Sequence, residues 1–367
     1  MAIPVFERMF ILLYVLPFVN SWTSPLNFAQ TLVKKVEMER IAKEKNSAIK
    51  FVDDLSKATS QRIFWETLVS TKDPSILAFP ESDSRDVKRL YNILLDAAPV
   101  FHNGEELRVE VLANSPLNAL STSWKNVPKE NIPLERPKIS GVKNRMKHWV
   151  DRTLVKLRMC PFTRSSDLSG QNLEEFGVTP APIQYVESDS TSIIELMADF
   201  WAAVDNFLQA GEEGASSIIM SAPHWDDEKG WDDWYHRVFP VLEESVICAK
   251  LSREVGIVCF HPLYSTPDKS FLLKHRFGHM YAPEKLFQWV QAKDKKFAEK
   301  ITLLDLHWAG SYQRRSPHAM INVLWASQLE AAENKRDSDN LYVRNVKKLL
   351  KEGKEKLDRE AAEEKVL

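Results

Sequence analysis

The chain has 367 residues, 44% hydrophobic and 27% charged, an ordinary globular composition with room for about two domains. A formal charge of −2 removes any general electrostatic attraction to nucleic acid. Three cysteines, Cys160, Cys248 and Cys259, fit neither a disulfide framework nor a zinc site and suit a reducing compartment.

In chain order, the first element is Met9–Phe18, an apolar run preceded by Arg8, with Val19 and Ser21 placed as at a cleavage site. Residues 1–21 therefore read as a signal peptide, against the alternative of a buried or amphipathic helix. Residues 22–50 read as a transit segment or an N-terminal helix. Trp22 directly after the cleavage site, followed by Thr23, Ser24 and a basic stretch, resembles the bipartite presequences of secondary plastids. That resemblance implies a plastid reached through the secretory pathway; secretion or another endomembrane compartment is the alternative. No later run approaches ~18 apolar residues, so the mature chain is expected to be soluble, without a membrane partner.

Residues 51–137 read as a mainly helical accessory region ending in a proline-rich linker. Phe28, Leu32, Val36 and Ile41 keep helical spacing before it, and Val87, Leu90, Ile93 and Leu94 define a helix over 86–98. Leu107, Val109 and Val111 alternate as in a strand after the Asn103-Gly104 turn. Residues 114–140 are expected to be loop, punctuated by Pro116, Pro128, Pro133 and Pro137.

From residue 138 to 333 the pattern is α/β. Helices are predicted over 142–159, 191–209, 231–253 and 317–333, and strands over 183–186, 217–222 and 256–260. The expected fold is a small sheet of about three or more strands alternating with helices, preceded by the mainly helical N-terminal region. Residues 265–310 form a Lys-rich insertion with a helix from Pro283. Residues 334–367 read as a charged tail, a solvated helix or coiled coil with a thin stripe of Val343, Val346, Leu350 and Leu357.

In a wound sheet, ligands gather at the carboxyl ends of strands. There the sequence places His224, Asp226 and His261. Arg315-Ser316-Pro317 reads as an anion site, with Ser316 as N-cap, Pro317 at the first helical position and Arg315 as a bidentate donor; pairing with a structural carboxylate is the competing role. His261 is a candidate acid or base, or a hydrogen-bonded structural histidine. Cys160 is a candidate catalytic thiol, although the end of its helix opposes a thiolate, and a packed core cysteine is the competing role. Asp226, Asp227, Asp232 and Asp233 could face a cation, but more simply cap the following helix, and no metal site is assigned. No Walker motif, Gly-rich phosphate loop or Gly-x-Ser-x-Gly elbow is present, so no cofactor is named.

Trp149 to Leu157 followed by Cys160-Pro161-Phe162, then Phe260-His261-Pro262-x-Tyr264, then Arg315-Ser316-Pro317, resemble in order and spacing the uncharacterised family of domain of unknown function 1415, over about residues 145–333. The resemblance implies a module and no activity. Arg314 stands where that family usually has Asn, and His318 where it usually has an aromatic residue.

The expected function is binding of a small anionic ligand at the strand ends, with ligand contacts from Arg315, Ser316, His224 and Asp226 and with His261 and Cys160 as catalytic candidates if the protein is an enzyme. The rival is a non-catalytic assembly protein of the plastid that docks a protein partner through its N-terminal region or tail.

Overall fold

The computed structural model describes residues 25–71, 73–96, 101–102, 105–126, 138–272, 279–335 and 338–367. The signal-peptide reading, the Asn103-Gly104 turn and Pro128, Pro133 and Pro137 lie outside them.

Before residue 138, helices α1 (Pro25–Glu44), α2 (Ala58–Ser70) and α3 (Ser84–Asp96) supply most of the regular structure. Val87, Leu90, Ile93 and Leu94 of α3 are all buried, as their spacing predicts. These helices accompany strands β1 (Ala48–Phe51), β2 (Ser75–Phe79), β3 (Phe101–His102), β4 (Glu105–Val111) and β5 (Asn118–Asn126), ordered β1-β2-β5-β4-β3. Alternation in Leu107, Val109 and Val111 marks β4. It cannot mark β2, which is buried along its whole length. β5 corrects the loop expected there. Its Ser- and Asn-rich sequence has little strand preference, but antiparallel pairing with both β2 and β4 sets Leu120 opposite Leu77 and Val111.

The second sheet contains β6 (Leu168–Ser169), β7 (Ala181–Glu187), β8 (Ser217–Ser221), β9 (Val255–Phe260) and β10 (Met320–Trp325), ordered β6-β7-β8-β10-β9. β7 and β8 are parallel, and β10 runs antiparallel to both β8 and β9. The carboxyl ends of β7, β8 and β9 therefore meet the start of β10. Helix α4 (Val142–Trp149) continues as π-helical turns to Lys156, and α5 (Ile193–Gly214) opens with a Ser192–Glu195 capping box. Helices α6 (Glu228–Asp233) and α7 (Phe239–Cys248) are joined by a π-helical stretch.

The helix expected from Pro317 is not there. Met320–Trp325 is a central strand, and α12 (Ala326–Lys335) begins only after it, following α8 (Lys269–Leu272), α9 (Pro283–Lys293), α10 (Lys295–Ala298) and α11 (Leu303–Tyr312). Periodicity cannot separate a short apolar run in a helix from one in a buried strand; hydrogen bonding to strands on both sides decides it. The tail forms α13 (Ser338–Glu352) and α14 (Lys354–Glu364), with Val343, Val346 and Leu357 buried, so it is packed rather than solvated.

Ile218, Met220, Ile257, Cys259, Ile321 and Val323 line one face of the second sheet. Their buried cluster continues through Phe200, Trp201 and Phe207 of α5 into Phe64, Trp65 and Leu68 of α2. Each such side chain contributes on the order of 1.5–3 kcal/mol by leaving water. On the opposite face, Ile183, Ile219, Phe260 and Met320 are covered toward the strand ends by Val142, Met146, Trp149 and Val150. The rest of that face is left to the loop after α4 and to α12 and α13.

Candidate site on the sheet face

At the strand ends, most of the expected ligand contacts are already engaged with protein. Asp226 Oδ1 accepts from Ala319 N–H at 2.7 Å, and Oδ2 lies 2.6 Å from His318 Nδ1. Arg145 Nε–H donates to His318 Nε2 at 2.9 Å. A guanidinium can only donate, so Nε2 accepts and Nδ1 carries the proton toward Asp226. Asp226 thus ties the loop after β8 to the start of β10. His224 is buried in the turn Pro223–Trp225 just before it. Ser316 caps no helix, because none begins there; its hydroxyl donates to His318 O at 2.5 Å.

His261 has no solvent exposure. Leu263 N–H donates to its Nδ1 at 3.0 Å, so Nε2 carries the proton and donates to Trp225 O at 2.6 Å. Burial holds its pKa down to about 4, although the Trp225 carbonyl favours the protonated ring. Both nitrogens hold loops together, which is the structural role rather than that of a proton shuttle.

Arg315 donates from Nε to Tyr264 O at 3.2 Å and places Nη1 3.5 Å from Asp358 of the tail. Without a helix at Pro317, the expected positive helix end is absent, and a structural carboxylate faces the guanidinium. The four aspartates are likewise occupied: Asp227 caps α6 through Gly230 N–H, while Asp232 and Asp233 pair with His236 and Arg237. Among the described residues no three His, Cys, Asp or Glu converge as metal ligands.

Cys160 lies elsewhere, in the wall of a cavity of about 250 Å³ on the sheet face beside the part that α4 covers, the two sharing Ile183, Ile219 and Phe260. The floor is Ile183, Ile219, Val258, Phe260, Asn322 and Leu324, alternate residues of four strands. Leu154, Cys160 and Phe162 close one side, and Leu329, Ala332 and Tyr342 from α12 and α13 close the other. Cys160 and Arg315 border different cavities, and His261 borders neither, so the three motif residues do not form one constellation.

Two polar groups in this apolar chamber lack partners. Arg314 Nε and Asn322 Oδ1 are buried without a hydrogen bond. The Arg314 guanidinium sits 5.4 Å from the Phe260 ring centroid, and among the described residues no carboxylate pairs with it. A buried unpaired donor and a buried unpaired acceptor in one chamber are each costly unless something else satisfies them. On the outer side of Cys160 a second depression is bordered by Arg158, Arg164 and Arg344, which makes the approach electropositive. Arg158 holds φ +50°, a conformation unusual for a side chain of its size.

Sequence reasoning singled out Cys160, which borders this chamber, and missed the unpaired Arg314 and Asn322. Arg314 had one signal, its departure from the asparagine usual in the resembled family. Asn322 had another, a lone amide inside an otherwise apolar strand.

Residues 141–271 match the family described as a protein of unknown function (DUF1415), and the chain carries an additional N-terminal region before them. The matched segment includes the Cys160 and His261 motifs and ends before Arg315. No curated protein and no solved structure matches the chain.

Proposed function

We propose that the protein binds a small anionic molecule with an apolar body in the sheet-face cavity. The anion meets Arg314, and a neighbouring O–H or N–H of the ligand meets Asn322 Oδ1. The observation carrying this reading is the coexistence of the two unpaired buried groups in one apolar chamber. An apolar cavity of ~150 Å³ holds benzene, so about 250 Å³ suits a body on the order of ten carbons. The site differs from the expected strand-end site, where Arg315 faces the tail. No reaction is assigned: Cys160 is a wall residue at the mouth, and His261 is a structural brace.

A thermal-shift panel of aromatic carboxylates tests the reading. We expect 3-hydroxy-2-naphthoate to stabilise the protein more than 2-naphthoate, because only the former offers Asn322 a donor. Ligand at a hundredfold excess over Kd should add about 2.7 kcal/mol. No stabilisation by any member, or equal stabilisation of the Arg314→Gln variant, contradicts it. The rival, a non-catalytic assembly protein, predicts instead a stable co-purifying protein lost on deleting residues 25–44. The plastid destination is proposed from the leader alone; a reporter fused to residues 1–50 that accumulates in the medium would exclude it.

A further inference from the structure

On the far side of α4, the last turn of α14 places a buried carboxylate against two basic side chains. Glu364, with 1% of its side chain exposed, accepts from Arg152 Nε at 2.9 Å and Nη2 at 2.6 Å, and His148 Nδ1 lies 2.9 Å from the same carboxylate. The remaining Arg152 nitrogen, Nη1, donates to Tyr312 Oη at 2.9 Å. Burial opposes the charge on Arg152, but the Glu364 and Tyr312 contacts overcome it and raise its pKa. Asp358, six residues earlier in α14, faces Arg315. Both arginines border one cavity of about 200 Å³, together with Trp149, Ser316 and Pro317.

The first turn of α14 is mixed in charge, with Lys354, Glu355 and Lys356, whereas its last turn carries Glu363 and Glu364 and no basic residue. Carboxylates at a helix C-terminus oppose the dipole, and here Glu364 is offset by Arg152 instead. Helix α14 joins α13 at Gly353, whose φ of +91° few other residues adopt and whose missing Cβ would meet nothing within 4 Å. That joint turns the chain between α13 and α14, and Leu357 anchors the first turn of α14 in the core, so release of the two carboxylates is confined to the turns after it. The tail also lies outside the segment that matches the family.

We infer that Arg152, Arg315, His148 and Tyr312 form a binding site for a small dicarboxylate, and that Glu364 and Asp358 occupy it as a displaceable internal ligand. Two guanidiniums around one cavity select a ligand with two carboxylates over a monoacid. The site is separate from the sheet-face cavity, and its test does not depend on that reading.

The experiment uses the full chain carrying Glu364→Gln and Asp358→Asn, titrated calorimetrically with malonate, succinate, glutarate and acetate. At least one diacid should bind the double variant ~10-fold or more tightly than it binds wild type, with acetate much weaker. Adding Arg152→Gln should abolish the gain. Equal diacid binding by wild type and the double variant, or a gain that survives Arg152→Gln, overturns the inference. If the double variant does not fold, hydrogen exchange of wild type decides. Saturating diacid should speed exchange over residues 358–364 relative to the rest of the chain; unchanged exchange there overturns the inference.

Discussion

His318 Nδ1 lies 2.6 Å from Asp226 Oδ2 while Arg145 holds the other ring nitrogen, so one imidazole joins the loop after β8, the start of β10 and the start of α4. Asp226→Ala and His318→Ala should each destabilise the protein by about 1–3 kcal/mol. A double-mutant cycle by urea unfolding should give a coupling of about 1 kcal/mol or more. Additive losses would mean that the contact is not formed in solution.

His261 predicts a pH signature. Its folded pKa is about 4 and its unfolded value ~6.5, so the unfolded chain binds the extra proton. The neutral ring contributes stability in full above pH ~6.5, and this falls away as pH drops toward ~4, by about 3 kcal/mol in total. Wild type and His261→Gln, unfolded in urea at both ends of that window, should differ less at the acid end. A constant difference would show that the imidazole is not held neutral.

Gly230 sets the loop on which His261 and Asp226 both depend. A Cβ there would stand 2.1 Å from the Trp225 carbonyl oxygen, a backbone atom that cannot turn aside. Gly230→Ala should cost about 2 kcal/mol or more in denaturant unfolding.

Cys160 is half-buried, whereas Cys248 and Cys259 have no exposure and burial raises both thiols, Cys248 to about 12. Native protein should take one iodoacetamide per chain, mapped to Cys160 by peptide mass. A cavity ligand should slow that reaction; an unchanged rate would place the ligand elsewhere.

The mixed α/β character was legible because β7, β8 and β9 are short apolar runs between amphipathic helices. The Met146–Leu157 stripe was legible for the same reason. Two kinds of element were not. β2 is wholly buried and β5 is polar, so neither alternates, and only their partners reveal them. β10 follows a Ser-Pro pair that reads as a helix start and becomes a strand only through β8 and β9. That single misreading moved the expected anion site, because Arg315 at a helix end and Arg315 before a strand present different fields. Neighbouring Arg314 and Arg315 border different cavities, a divergence invisible in a dipeptide. His261 and Asp226 were correctly placed at strand ends, but their partners come from residues far away in sequence.

The central claim is that the sheet-face cavity holds an apolar anion through Arg314. Its most direct test is calorimetric titration of 3-hydroxy-2-naphthoate into wild type and Arg314→Gln. The account predicts saturable one-to-one binding weakened about 10- to 100-fold in the variant, the range expected for a lost charged hydrogen bond. Equal affinity in the two proteins would contradict it.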